Sequence, residues 1–261
     1  MAEGLSFAST LLAILLAHEF GHYIAARIHN VDASLPHFIP MPLLSPFGTM
    51  GAVIQMRGAL SDRRALLDIG AAGPLAGMLF AVPLYAWGSA HSSVVPMTPG
   101  LGVELGESLL VQGLDRLFHR VPQGHTLLLS PMAFAAWGGM LVTMINLVPV
   151  GQLDGGHVLY ALLGERLKPY AKFVHASVLV VGLAIMGMAR ASGLAWHAAL
   201  NRGAFWMLWF IVAGALGKVG GGSASGHPPT DNKPLGTARI CVGIATLLLF
   251  VLLFMPTPMA V

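Results

Sequence analysis

Cysteine is nearly absent. Cys241 stands alone among 261 residues, so neither an internal disulfide nor a metal site built from cysteine thiolates is possible within one chain. Charge is scarce as well: Asp, Glu, Lys and Arg make up 10% of the residues while hydrophobic residues make up 56%, and mean hydropathy is +0.74. Soluble domains carry about 25% charged residues, so a water-soluble globular domain is excluded and a polytopic membrane protein is indicated. The net charge of +3, from 14 basic and 11 acidic residues, carries no nucleic-acid implication here, because in such a chain the placement of charges matters more than their sum. The opening Met1-Ala2-Glu3-Gly4 lacks a basic n-region, so the first apolar run is expected to be a retained span.

What is abundant is apolar sequence in runs close to the ~20 residues that cross a bilayer. Six such runs fall at 5–27, 66–88, 127–148, 171–190, 203–218 and 238–256, and the fold class they predict is an all-α polytopic membrane protein of about six transmembrane helices. Basic residues separate between alternate loops: Arg27, Arg57, Arg63, Arg64, Arg166, Lys168, Lys172, Lys218, Lys233 and Arg239 fall on one side, Arg116, Arg120, Arg190 and Arg202 on the other. The positive-inside rule makes the first side cytoplasmic and puts both termini outside. A prokaryotic cytoplasmic (inner) membrane is the expected location.

Between 31 and 58, Pro36, Pro40, Pro42 and Pro46 forbid a regular helix while apolar residues stay frequent. A re-entrant segment is expected there, with Gly48 to Met56 as a short strand or hairpin whose backbone is buried in protein or faces a wet cavity. Residues 89–126 read as an outer loop of little periodicity, and 219–236 as a Gly/Ser/Pro linker. No internal repeat is visible. Residues 1–165 form the expected catalytic membrane core and 166–261 an accessory set of helices.

Inside the first apolar run stands His18-Glu19-Phe20-Gly21-His22. Helical positions four apart lie about 40° apart around the axis, so His18 and His22 can face one metal ion. In an H-E-x-x-H pattern the two histidines bind zinc and the glutamate is the general base. An ionisable group in a spanning helix costs ~2.5–3.5 kcal/mol on insertion scales, which makes function the default reading. Arg27 places the pair roughly 8 Å inside the cytoplasmic end of the helix at 1.5 Å per residue. Catalytic zinc takes three protein ligands. The best third ligand is Asp154, after the third span, where Pro149 and Gly151 break the helix and Gly155 and Gly156 allow close backbone approach.

His18-Glu19-x-x-His22 with Asn146-x-x-Pro149 and Leu153-Asp154-Gly155 resembles the site-2 protease family of intramembrane zinc metalloproteases. Gly48-Thr49-Met50-Gly51-Ala52 and Ala72-Gly73-Pro74-Leu75-Ala76-Gly77 are also similar to segments of that family, and the likeness spans roughly residues 5–165. The resemblance implies one Zn2+ held by His18, His22 and Asp154, Glu19 as the catalytic residue, and Asn146 in contact with substrate or transition state. It implies a three-helix core from the first three spans. Family members often carry PDZ or CBS modules, for which there is no room here. Thr49, Met50, Gly51, Ala52 and Val53 are the candidate edge for an extended, membrane-anchored protein substrate. No regulatory partner is identified.

A metal-ion transporter using the same three ligands and a non-catalytic zinc-bound scaffold are the competing functions. Glu19 beside the ligands, and the lack of a polar path through the other spans, count against them. Glu165 is the alternative third ligand, disfavoured because it lies in a hydrophilic turn. His157 is left as a neighbour of the site, and His29 and His37 read as solvated. Asp68 favours the start of its helix, while Gly73 and Gly77 read as helix packing. Gly214 to Val219 lacks the spacing and hydroxyl of a phosphate loop, so no nucleotide is expected.

Overall fold

The computed structural model describes residues 1–40, 47–57, 62–97, 104–219, 231 and 233–260. Its helices are α1 (Ala2–Ile28), α2 (Arg63–Ala90), α3 (Leu109–Phe118), α4 (Pro131–Asn146), α5 (Asp154–Leu163), α6 (Ala171–Ala191), α7 (Trp196–Val219) and α8 (Thr237–Leu253). Short strands lie between them: β1 (Asp32–Ala33), β2 (His37–Pro40), β3 (Thr49–Val53), β4 (Met56–Arg57), β5 (Ser93–Pro96), β6 (Glu104–Leu105), β7 (His125–Leu128) and β8 (Met259–Ala260). They pair antiparallel as β1 with β4, β2 with β3, β5 with β7 and β6 with β8.

The molecule is mainly helical, and among the described residues α1, α2, α6 and α7 (through Ala215) are long and apolar enough to cross a membrane. Apolar helices stand at all six expected places, but α4 with 16 residues and α8 with 17 are short, about 24–26 Å against a ~30 Å hydrocarbon core. The third run loses its first residues because His125–Leu128 pairs with β5, after which Ser130 accepts the Ala133 N–H and Pro131 opens the helix. The fifth run is longer than expected and starts at Trp196.

Helix α2 is the centre of the molecule, in contact with α1, α4, α5, α8 and α3. It starts where Asp62 accepts from the Arg64 and Ala65 amides. The loop 89–126 is more ordered than its sequence suggested. Ser108 caps α3, whose Val111 is buried and whose Asp115 accepts from Tyr85 (3.0 and 3.1 Å) and Ser89 (2.6 Å) of α2. Glu104 pairs with Arg202 at 3.0 Å.

Helices α6 and α7 pack on each other, and the segment after α8 ties them to the core. Trp206 of α7 stacks on Phe254 and donates to the Pro256 carbonyl (2.8 Å), and Gly106 donates to the Pro258 carbonyl (2.7 Å). Trp137 of α4 in turn donates to the Gly106 carbonyl at 2.8 Å. The linker 219–236 lies largely outside the described residues.

Candidate metal and catalytic site

Helix α1 turns His18 and His22 toward α2 and α5. His18 Nε2 lies 3.1 Å from His22 Nε2 and 3.2 Å from Asp154 Oδ2, and His22 Nε2 lies 3.3 Å from the same oxygen. Among the described residues this is the one convergence of His, Cys, Asp and Glu ligand atoms of its kind. Tetrahedral zinc with ligands at about 2.0–2.2 Å holds them about 3.3 Å apart, which these three edges match. The His22 Nδ1–H donates to the Ile69 carbonyl at 2.7 Å, so its Nε2 carries the lone pair. Electron-rich atoms packed this closely call for a cation between them. The residues therefore fit the ion.

The backbone around Asp154 explains how the third ligand reaches the other two. Helix α4 ends at Asn146, ahead of Pro149, and Gly151 turns the chain at φ +56°. The start of α5 then presses onto that turn, so closely that a β-carbon at Gly155 would stand 2.0 Å from the Leu147 carbonyl oxygen. Asp154 opens α5, and its carboxylate gains from the positive end of the helix dipole.

Glycines on α2 make room for the histidines, a role that their reading as helix packing missed. A β-carbon at Gly73 would lie 2.1 Å from His22 Nε2, and one at Gly77 would lie 3.3 Å from His18 Cβ. Gly21 returns the fit, since a β-carbon there would meet the Ala72 carbonyl oxygen at 2.4 Å. The signal was in the sequence: Gly73 and Gly77 repeat, on the facing helix, the four-residue spacing of His18 and His22.

Glu19 is buried beside the ligands, at 7% exposure, on the helix that β3 packs against. Asn146 Nδ2 lies 3.4 Å from His18 Nε2. Thr49, Met50, Gly51, Ala52 and Val53 make up β3, paired with β2 through Val53 with His37, Ala52 with Phe38 and Thr49 with Pro40. The Thr49 hydroxyl donates to the Ile39 carbonyl (3.0 Å), and Gly51 stands at φ +107°.

Other sequence candidates fall elsewhere. Asp68 takes Arg239 Nε on both oxygens (3.0 and 2.9 Å) and His29 Nε2 at 2.8 Å, so His29, read as solvated, is a hydrogen-bond partner of Asp68. Glu165 accepts from Tyr160 (2.7 Å) and pairs with Lys168; Lys168 first and Tyr160 second hold its carboxyl below the usual range. It is no member of the ligand cluster. His157 is buried against Gly70 of α2, also outside that cluster.

Two histidines one helical turn apart, a flanking glutamate and a carboxylate from a second helix, all set among apolar helices, define the class of membrane-embedded metallopeptidases. The model of Peptidase family M50 matches residues 6–189, and the chain belongs to that family, the site-2 protease family. It is 29% identical over 265 residues to a protein of Oryza sativa subsp. indica named probable zinc metalloprotease EGY2, chloroplastic, covering 99% of this chain and 44% of that one. Against the probable zinc metalloprotease EGY1, chloroplastic, of Arabidopsis thaliana it is 34% identical over 193 residues, 70% of this chain and 34% of that one. The Arabidopsis thaliana protein named EGY2 is 30% identical over 193 residues. The chain spans less than half the length of these curated relatives. No solved structure matches it.

Proposed function

We propose that this chain is an intramembrane zinc endopeptidase that hydrolyses a peptide bond within or near the membrane-spanning segment of an anchored protein substrate, close to the cytoplasmic face. The observation that carries this reading is the triangle of His18 Nε2, His22 Nε2 and Asp154 Oδ2 with edges of 3.1–3.3 Å, flanked by the buried Glu19 carboxylate. In it His18, His22 and Asp154 hold the metal. When bound, zinc polarises the scissile carbonyl and acidifies water. The Glu19 carboxylate accepts a proton from the attacking water and returns it to the leaving nitrogen. Asn146 Nδ2 donates to the carbonyl oxygen of the substrate as charge builds there.

A helical substrate hides its carbonyls in its own hydrogen bonds, so cleavage needs an extended segment. The Thr49–Val53 strand serves as its template, its backbone supplying main-chain hydrogen bonds to an extended peptide by strand addition. Burial of the site among α1, α2 and α5 keeps bulk water away. All six apolar helices are counted as spans in this reading, α4 and α8 crossing where the protein thins the bilayer. The distribution of basic loops favours the His22 end of α1 facing the cytoplasm of a prokaryotic inner membrane, whereas the relatives above are named as chloroplast proteins.

The test is cleavage of single-span reporter proteins in proteoliposomes by the native chain and by Glu19→Gln at equal, independently measured zinc content. Cleavage that Glu19→Gln removes while zinc stays bound supports the peptidase. Zinc flux that survives Glu19→Gln and is lost in Asp154→Ala would replace it with a transporter.

A further inference from the structure

Strand β3, packed against α1, is fixed at its far end by Phe47, a partly buried aromatic side chain outside the metal-ligand cluster. Phe47 packs 6.2 Å from the Phe134 ring and 6.4 Å from Trp137, and Phe134 in turn lies 5.5 Å from Phe7 of α1. Gly138 provides the notch: a β-carbon there would stand 2.8 Å from the Phe47 ring. Phe47 also packs against the cluster of Leu11 and Leu15 of α1 with Ala135 of α4, so the ring sits in the seam between α1 and α4.

The depth of this seam follows from the two helices. Gly138 precedes Asn146 by eight residues, about 12 Å along the axis, and Leu11 and Leu15, in the cluster that Phe47 packs on, precede His18 by seven and three, about 10 and 5 Å. Beyond the other end of the strand Met56 packs against the Ala25 and Ala26 cluster of α1, past His22. From Phe47 to Ile54 an extended chain reaches up to about 23 Å at 3.3 Å per residue, enough to span that interval. Strand β3 therefore runs along α1 from the aromatic seam past the catalytic glutamate, roughly along the bilayer normal.

We propose that Phe47, seated against Gly138, is a specificity-determining anchor that fixes the register of β3 relative to the metal ligands and so selects which substrate bond is cut. This rests on the peptidase reading and deepens it. A substrate strand paired along β3 advances about 3.3 Å per residue, so the roughly 5–12 Å between seam and site corresponds to about two to four substrate residues on the outer side of the scissile bond. A slip of one residue would turn each side chain to the opposite face.

Phe47→Ala empties the seam, and Gly138→Ala crowds the ring out of it while raising helix propensity in α4. Both are compared with Phe47→Leu, which refills the seam. Hydrogen exchange at amides 49–54 is measured in the zinc-loaded protein without substrate, and product termini from the single-span reporter are read by mass spectrometry. The anchor predicts native zinc content, at least about tenfold faster exchange at those amides in Phe47→Ala and Gly138→Ala, cuts spread over neighbouring bonds, and recovery of one dominant cut in Phe47→Leu. Unchanged exchange in both variants overturns the anchor, whether or not the native chain cleaves. Faster exchange with an unmoved cut overturns the role in selecting the bond, and a native chain that cuts no reporter counts against the peptidase reading separately.

Discussion

Replacing Gly73 by alanine tests whether the second helix shapes the metal site. The added methyl carbon would lie 2.1 Å from His22 Nε2, 2.4 Å from Cε1 and 2.5 Å from Cδ2. Non-bonded carbon atoms settle at about 3.5–4.0 Å, so the imidazole must retreat by more than about 1 Å. That movement breaks its 2.7 Å bond to the Ile69 carbonyl and takes Nε2 away from His18 and Asp154. Loss of an outer partner of a metal ligand already costs about 10–100-fold in affinity. Displacing a ligand itself should cost at least about 100-fold, or about 2.7 kcal/mol. Folding should survive, because alanine is favoured over glycine in a helix interior by up to about 1 kcal/mol. Zinc affinity in detergent is measured by competition with a chromophoric chelator, together with the thermal unfolding midpoint. Gly113→Ala, which meets nothing within 4 Å, is the control. Native zinc affinity in Gly73→Ala would refute the packing argument.

Arg239→Ala removes the cation that α8 presents to Asp68. Because the Arg239 side chain is 37% exposed, the loss should be about 1 kcal/mol or less, seen as a small drop in unfolding midpoint that shrinks further in high salt. Tyr85→Phe takes one of two hydroxyl donors from Asp115. A cost of about 1–3 kcal/mol is expected, read as faster hydrogen exchange across Leu109–Phe118 with the α1 amides unchanged.

The parts of the fold legible in the sequence were those set by local pattern. The apolar runs located six apolar helices, four of them long enough to cross a membrane among the described residues, and the H-E-x-x-H spacing put His18 and His22 on one face of α1. Asp154 was legible because Pro149, Gly151, Gly155 and Gly156 mark a broken helix and a close approach, which the 2.0 Å clearance at Gly155 bears out. Helix α3 was missed although Ser108 caps it and Val111, Leu114 and Phe118 recur at helical spacing. Its polar face and its position in a loop rich in charge hid that period. The start of α4 at Pro131 rather than 127 depends on β7 pairing with β5, Ser93 with Leu128 through Pro96 with His125, a contact between distant segments that no local pattern encodes. Likewise the partners of Asp68, His29 before it and Arg239 far beyond it, meet only when α1, α2 and α8 are assembled.

As proposed, His18 and His22 of α1 and Asp154 of α5 hold a single metal ion, with Glu19 beside it rather than in it. Metal content per chain, measured by elemental analysis of protein purified without added metal, tests this most directly in the native chain, His18→Ala, His22→Ala, Asp154→Ala and Glu19→Gln. The account predicts one zinc per chain in the native protein and in Glu19→Gln, and little or none in the other three. Full zinc content in Asp154→Ala, or its loss in Glu19→Gln, would contradict it.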